Sequence, residues 1–452
     1  MNFKTVITAI STALMCSLPL ASQKVATKGN VQLLGAVGSD SFLPFWFYAN
    51  THTDLGSESN FSGLGEVTST YALTENATLT GKASFFYRNN TETEAQRKEL
   101  FLRFTNSWLK AAAGAFQQTN PEAELSASNK NFWMSGNARP MPGFLLEAPQ
   151  PLKINNTFSL DWGIGHFFQN DDNRFVEDVW VHYKRLGVWL QLSEKHKLKA
   201  QLQHYAQWAG TSPVFGDLRD DFSAFVDVFF ASEAVETGAD DEFLNAVGNH
   251  MGSYLLDYYY NSPYGIINAY HEHPFEDGSG SRLANFPDGI WGLSLTANEE
   301  HWWSQFLYEY IDTSDQSGFT TDSGFDSYYR NAVYRSGWTY EGNVIGVPFI
   351  LNDPSVTITP TNTSLISNRV RAHHFAAKGK IFNVYWLLKN SFTTHEGIFQ
   401  EGYPEKIRTS YQYLNLAYPT ETYGTFRLFG GFDQLNFSGD VFGVGLGYQY
   451  GF

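Results

Sequence analysis

The stretch Val441-Phe-Gly-Val-Gly-Leu-Gly-Tyr-Gln-Tyr-Gly-Phe452 decides the fold class. Its even positions are all apolar: Phe442, Val444, Leu446, Tyr448, Tyr450 and Phe452. After Val441, its odd positions are Gly443, Gly445, Gly447, Gln449 and Gly451. Successive side chains of a strand point to opposite faces, so one face is greasy and the other nearly bare. A membrane-crossing barrel strand has this pattern, with lipid on one side and a polar lumen on the other. The aromatic Phe452 is expected to mark the periplasmic end and to be read by the barrel assembly machinery.

Composition agrees with this reading. The 452 residues include 17% aromatics and 39 Gly, suited to strands with interfacial aromatic girdles. Mean hydropathy is -0.30, a soluble-looking value that alternating barrel strands also produce. Beyond the N-terminus no run of eighteen apolar residues offers a membrane-spanning helix.

Met1–Ala21 reads as a secretory leader, with Lys4, an apolar run and small residues at Ala21 and Ser22. The single cysteine, Cys16, lies inside it, and bulky Met15 suits lipoprotein processing poorly. A chain without the leader has no disulfide, no thiolate metal site and no cysteine nucleophile. The net charge of -16 argues against nucleic acid as a partner.

Roughly seventeen segments have strand character, and many are joined by short polar turns. Clear hairpins turn at Glu75-Asn76, Ser193–His196, Ala297–Glu300 and Lys378–Lys380. Counting back from Phe452 places Asp433–Asp440, Thr393–Lys406, Asp312–Leu365 and Glu276–Asp288 outside the cell. Tyr328–Trp338 could be an extra strand pair or part of a cap. The fold class is therefore all-β, a transmembrane antiparallel barrel, with residues 22–452 as one domain. Insertions near 118–156, 209–251 and 312–365 are expected to plug or cap it. Pro140, Pro142, Pro149 and Pro151 argue against central strands in the first. Asp221–Phe230 has helical spacing, with a second short helix expected at Glu242–Val247. A helix in that insertion should plug the lumen or cap one mouth.

Six segments carry a family resemblance: Leu43-Pro-Phe-Trp-Phe-Tyr-Ala-Asn50, Trp133-Met-Ser-Gly-Asn-Ala-Arg-Pro-Met-Pro-Gly143, Gln203-His-Tyr-Ala-Gln-Trp-Ala-Gly210, Gly248-Asn-His-Met-Gly-Ser-Tyr254, His273–Gly280 with Asn285–Gly292, and Asn368-Arg-Val-Arg-Ala-His-His374. Together they resemble the Wzi family of outer-membrane capsule-assembly proteins, in the form seen among Bacteroidetes-type bacteria. The resemblance implies an eighteen-stranded, plugged outer-membrane barrel. It also implies a lectin-like role, organising capsular or other surface polysaccharide without covalent chemistry, metal or cofactor. A porin or substrate channel is the alternative, and an outer-membrane hydrolase a further one.

Sugar binding needs aromatic faces and planar polar groups. The span Asp312–Leu365 supplies Tyr328, Tyr329, Arg330, Trp338 and Tyr340, which form either a stacking platform or the packing of a lid. Glu276, Asp277 and Asp288 flank a Gly-rich outer loop and suit hydroxyl or cation contact, or ordinary turn chemistry. Asn137 and Arg139 are expected to fix a plug, with Arg139 paired to a carboxylate. His250 is expected to be a satisfied plug histidine. Glu276 with Asp288 as a glycosidase pair, and His250 with Ser253 as a hydrolytic pair, are the catalytic alternatives. Asn170-Asp171-Asp172-Asn173 reads as a solvated turn because it lacks the Gly and Glu of a calcium loop.

Overall fold

The computed structural model describes residues 25–118, 124–232, 247–276, 280–299, 301–317, 326–436 and 438–452. Eighteen antiparallel staves close on themselves. In chain order they are β1 (Val25–Gly38), β2 (Phe61–Thr74), β3 (Ala77–Arg88), β4 (Ala95–Thr105), β5 (Lys110–Ala115), β6 (Pro142–Glu147, resuming at Leu152–Lys153), β7 (Phe158–Gln169), β8 (Val179–Gln191) and β9 (His196–Trp208). There follow β10 (Asn249–Ser262), β11 (Gly265–Phe275), β12 (Gly289–Ala297), β13 (Gln305–Asp312), β14 (Arg369–Ile381), β15 (Val384–Ile398), β16 (Glu401–Pro419), β17 (Thr425–Leu435) and β18 (Val441–Gly451). Each pairs with its neighbour in sequence, and β18 returns to β1 through Gly38↔Gly443 and Asn30↔Gly451. Closure leaves no unpaired edge, which a wall in lipid requires.

One end carries short turns and the other the long connections. The expected insertion 118–156 is not all plug, for its second half supplies stave β6: Pro142 opens it opposite Ala115, while Pro149 and Pro151 lie in the break before Leu152. Proline is thus placed at a strand start and an interruption, where no ladder donor is lost. The expected outer loop Thr393–Lys406 is instead the tip of a long hairpin, turning at Phe399-Gln400.

The apolar face of β18 points outward: Phe442, Val444 and Leu446 are exposed. The bare face does not line an open polar lumen. A Cβ on Gly443 would stand 2.6 Å from Pro44 Cδ, and one on Gly445 would meet the Phe429 ring at 2.2 Å. Glycine here makes room for the segment after β1, whose one helical turn α1 (Phe45–Tyr48) lies inside the barrel.

The lumen is filled in its long-loop half. Residues 124–141 and 326–368 enter it and bury Phe132, Trp133, Tyr328, Tyr329, Trp338 and Phe349 with Trp46 in one cluster. Two carboxylates on the wall hold the first segment. Glu309 accepts from Ser126 Oγ at 2.7 Å, Ala127 N at 2.7 Å, Ser128 Oγ at 2.6 Å and Tyr270 Oη at 2.7 Å. Glu272 accepts from Phe132 N at 2.8 Å, Gln203 Nε2 at 2.8 Å and Ser253 Oγ at 2.6 Å. Nearer the short-turn end, Arg185 pairs with Glu147 and Asp161, and Lys82 with Glu66 and Glu99.

The helix expected as a plug lies elsewhere. Helix α2 (Phe222–Phe230) is capped by Asp221, whose side chain accepts from Ala224 N. Its buried face packs on Ala206 and Trp208 of β9. These share the outward parity of exposed Leu202, whereas Tyr205 joins the luminal cluster. The helix therefore rests on the outside of the wall. Phe222 and Phe230 remain 80% and 72% exposed there. Six Phe and Val residues within nine positions leave only a narrow polar strip, Ser223 and Asp227, so an exterior position against the apolar wall buries one face and leaves the other open to apolar surroundings. Of the expected helix Glu242–Val247 only Val247 is described, in a bend, and the leader Met1–Ala21 lies outside the described residues.

Candidate functional site

The aromatic residues expected to stack sugars are packed inside. Tyr328, Tyr329, Trp338 and Tyr340 are fully or almost fully buried, so no ring face is open at the surface. Tyr329 stacks on Phe132 with centroids 5.4 Å apart, and its hydroxyl donates to Phe132 O at 2.6 Å. Trp338 Nε1 donates to Trp133 O. Tyr340 Oη donates to Asn170 Oδ1 at 3.0 Å. The Tyr328–Trp338 segment is part of this lid and forms no barrel strand. Arg330 is half-buried at its edge, where burial lowers its pKa.

The expected polar residues are fasteners too. Asn137 Nδ2 donates to Val344 O at 3.0 Å. Arg139 pairs with Glu341, donates to Arg97 O and lies over the Tyr340 ring. Glu276 accepts from Tyr329 N at 2.9 Å. Asp277 lies outside the described residues. In the expected turn, Asp172 and Asn173 are exposed, whereas Asp171 pairs with Arg174 at 3.1 Å and accepts from Glu341 N at 2.9 Å, tying the β7–β8 connection to the lid. His250 is not in a plug. It lies on the outward face of β10, with Nδ1 3.0 Å from His204 Nε2. Ser253, three residues on, faces the lumen and donates to Glu272, so the two cannot act as a hydrolytic pair.

Asp288 is fully buried and ends a loop that grips the lid. Its carboxyl accepts from Asp315 N at 3.0 Å, Gln316 N at 2.8 Å and Tyr328 Oη at 3.1 Å. Burial pushes its pKa up to about 7, against the pull of those donors. A carboxyl with a folded pKa above its unfolded value holds its proton longer when folded. The lid contact is thus strongest at acid pH and weakens as pH rises through about 7. Hydrogen-exchange protection of the Asp315 and Gln316 amides should fall across that window and become pH-independent in Asp288→Asn. Equal pH dependence in both proteins would contradict this assignment.

What opens at the mouth is a crevice of about 1760 Å³. Its lining includes Glu58, Asn90, Thr91 and Thr93 from two connections and Asp172, Pro213 and Val214 from two others. The lid contributes Glu341, Asn343, Asn352, Ser355, Thr357 and Thr359. Hydroxyls, amides and carboxylates therefore converge with apolar patches at Phe42, Val214 and Pro354. This suits a polyhydroxylated ligand with apolar C–H faces. The sequence reading missed the crevice because its residues come from many connections, spread from Phe42 to Val441. The buried lid aromatics support its floor from below.

Residues 50–349 match a family model described as capsule assembly protein Wzi. None of the curated proteins matches. Among solved structures, the chain is similar to Wzi of Escherichia coli, described as an outer membrane protein involved in group 1 capsule assembly and a carbohydrate-binding β-barrel. Identity is 12%, with 99% of this chain and 88% of that one covered, at a TM-score of 0.60. It is also similar to OccK5 (OpdH) of Pseudomonas aeruginosa, at 11% identity, covering 95% and 98% of the two chains, with a TM-score of 0.50. The outer membrane protein OprD of the same organism gives 10% identity, 95% and 94% coverage and a TM-score of 0.50. At these identities the structures share the barrel fold.

Proposed function

Because this chain belongs to the Wzi family of capsule assembly proteins, we propose that it holds capsular polysaccharide in the crevice at its long-loop mouth. It is an outer-membrane β-barrel, and in this reading the mouth faces the outside of the cell. The observation that carries the proposal is a wide crevice of mixed polar and apolar lining above a filled lumen. A polymer can rest there but has no path through. Each repeat unit would make a few hydrogen bonds and apolar contacts, and many units on one polymer would multiply weak binding into retention. No covalent chemistry is needed, and the outward carboxylates expected as a catalytic pair serve as lid fasteners. Export by the leader, insertion by the barrel assembly machinery and contact with outer-membrane lipid complete the reading.

The test is a comparison of cell-bound and released polymer. Deleting the gene should leave polymer synthesis intact and release capsule into the medium. Thr93→Trp with Thr357→Trp, both exposed in the crevice, should weaken glycan retention about tenfold in a normally folded barrel. Full retention in the double variant would move the site away from the crevice. Full retention after deletion would remove the role itself.

A further inference from the structure

On the outer face of β9, β10 and β11 lies a concave apolar groove of about 440 Å³. Its floor and sides include Ala200, Leu202, Tyr254, Leu256, Leu283 and Phe286. The four strand residues have outward parity, and Leu202 and Leu256 are exposed. The remaining wall is formed by His271 and His273 of β11 and by Leu283 and Phe286, which follow the short turn Gly280–Arg282. Tyr254 Oη donates to Ser281 O at 3.3 Å, and Phe286 packs edge-on against Trp291 at 5.8 Å. The groove is therefore held open by fixed contacts. Its position at the long-loop end of β11, next to the strands that carry helix α2, sets it at one leaflet only.

We propose that this groove seats one acyl chain of a phosphorylated outer-leaflet lipid, with the phosphate at Arg282. The occupant follows from place and charge. The groove is part of an outer surface continuous with exposed Leu186 and Leu293 on neighbouring strands, where the surroundings are hydrocarbon. Against a convex wall an acyl chain touches protein on one side; in a concavity it is contacted along its flanks, and dispersion contacts accumulate. A groove already shaped binds without ordering cost to the protein. Arg282 is exposed and immediately precedes Leu283, which lines the groove, and a guanidinium matches phosphate geometry. The outer leaflet offers a lipid of this chemistry as a multiply acylated, bis-phosphorylated glucosamine disaccharide (lipid A).

The full-length protein would be purified in mild detergent and given bis-phosphoryl lipid A, monophosphoryl lipid A or phosphatidylethanolamine. Native mass spectrometry then reads what survives detergent exchange. Wild-type protein should retain bis-phosphoryl lipid A in preference to the other two. Ala200→Trp fills the groove floor and should cut that retention at least about threefold. Arg282→Glu, on an exposed side chain that does not threaten folding, should erase the preference for the second phosphate. A heat-dependent gel shift equal to wild type shows that each barrel is intact. Equal retention of lipid A and phosphatidylethanolamine by the wild type would overturn the proposal. So would wild-type retention in Ala200→Trp, or an unchanged phosphate preference in Arg282→Glu.

Discussion

Glu309→Ala is expected to unfasten the plug and open the barrel to ions. The carboxylate is fully buried and is the common acceptor for two serine hydroxyls, one backbone amide and one tyrosine hydroxyl. Removing it orphans buried donors, at about 1–3 kcal/mol for each left unsatisfied. The cost falls on one side of a contact between plug and wall, so the wall can keep its ladder while the plug lets go. Residues 124–141 should become sensitive to added protease. In planar bilayers the wild type should stay closed and the variant should conduct. Glu272→Ala in the same chain should add to the effect, because Glu272 holds Phe132 N independently. Glu309→Gln keeps an acceptor oxygen and should fall between. A closed, protease-resistant Glu309→Ala barrel would show that apolar packing alone retains the plug.

Trp338→Ala should detach the lid while sparing the barrel. The indole is fully buried, packs 5.6 Å from the Tyr205 ring and donates to Trp133 O. Truncating a buried Trp costs about 3–5 kcal/mol through lost contacts and the cavity left behind. The carbonyl of Trp133 also loses its donor. Residues 326–368 should lose hydrogen-exchange protection, and glycan retention should fall because the crevice loses its floor. Trp338→Phe, which keeps most of the ring, should restore much of both. The order of effects separates packing from recognition. If retention fell in Trp338→Ala while lid protection stayed at the wild-type level, the indole itself would be touching sugar. The barrel's heat-dependent gel shift should be unchanged throughout, since its ladder runs through β1 to β18 and not through the lid.

The strands were legible because alternation is local. Phe442, Val444 and Leu446 need only their immediate neighbours to declare a lipid face. Family resemblance, carried by motifs such as Trp133–Gly143, correctly raised the count from about seventeen segments to eighteen staves. The bare face of the last strand was misread in one respect. Gly443 and Gly445 do not leave space for water; they leave it for Pro44 and Phe429. The partners lie far along the chain or on a neighbouring strand, so periodicity could not name them.

The lid aromatics show the same limit. A run such as Tyr328, Tyr329, Trp338 and Tyr340 reads equally as a sugar platform or as a core, because exposure is not a property of sequence. Burial turned them into structure and moved the candidate site to polar residues that had carried no signal. Helix α2 is a parallel case. Its spacing announced a helix, but whether that helix sat inside or outside the barrel depended on the parity of Ala206 and Trp208 beneath it.

By itself the sequence determined the barrel, its alternating faces and its family, since each rests on short-range pattern or on motif identity. Only the tertiary structure decided what fills the lumen, which aromatics are hidden and where the mouth opens. These depend on loops distant in sequence meeting in the lumen, where closure, packing and buried hydrogen bonds leave one compatible arrangement.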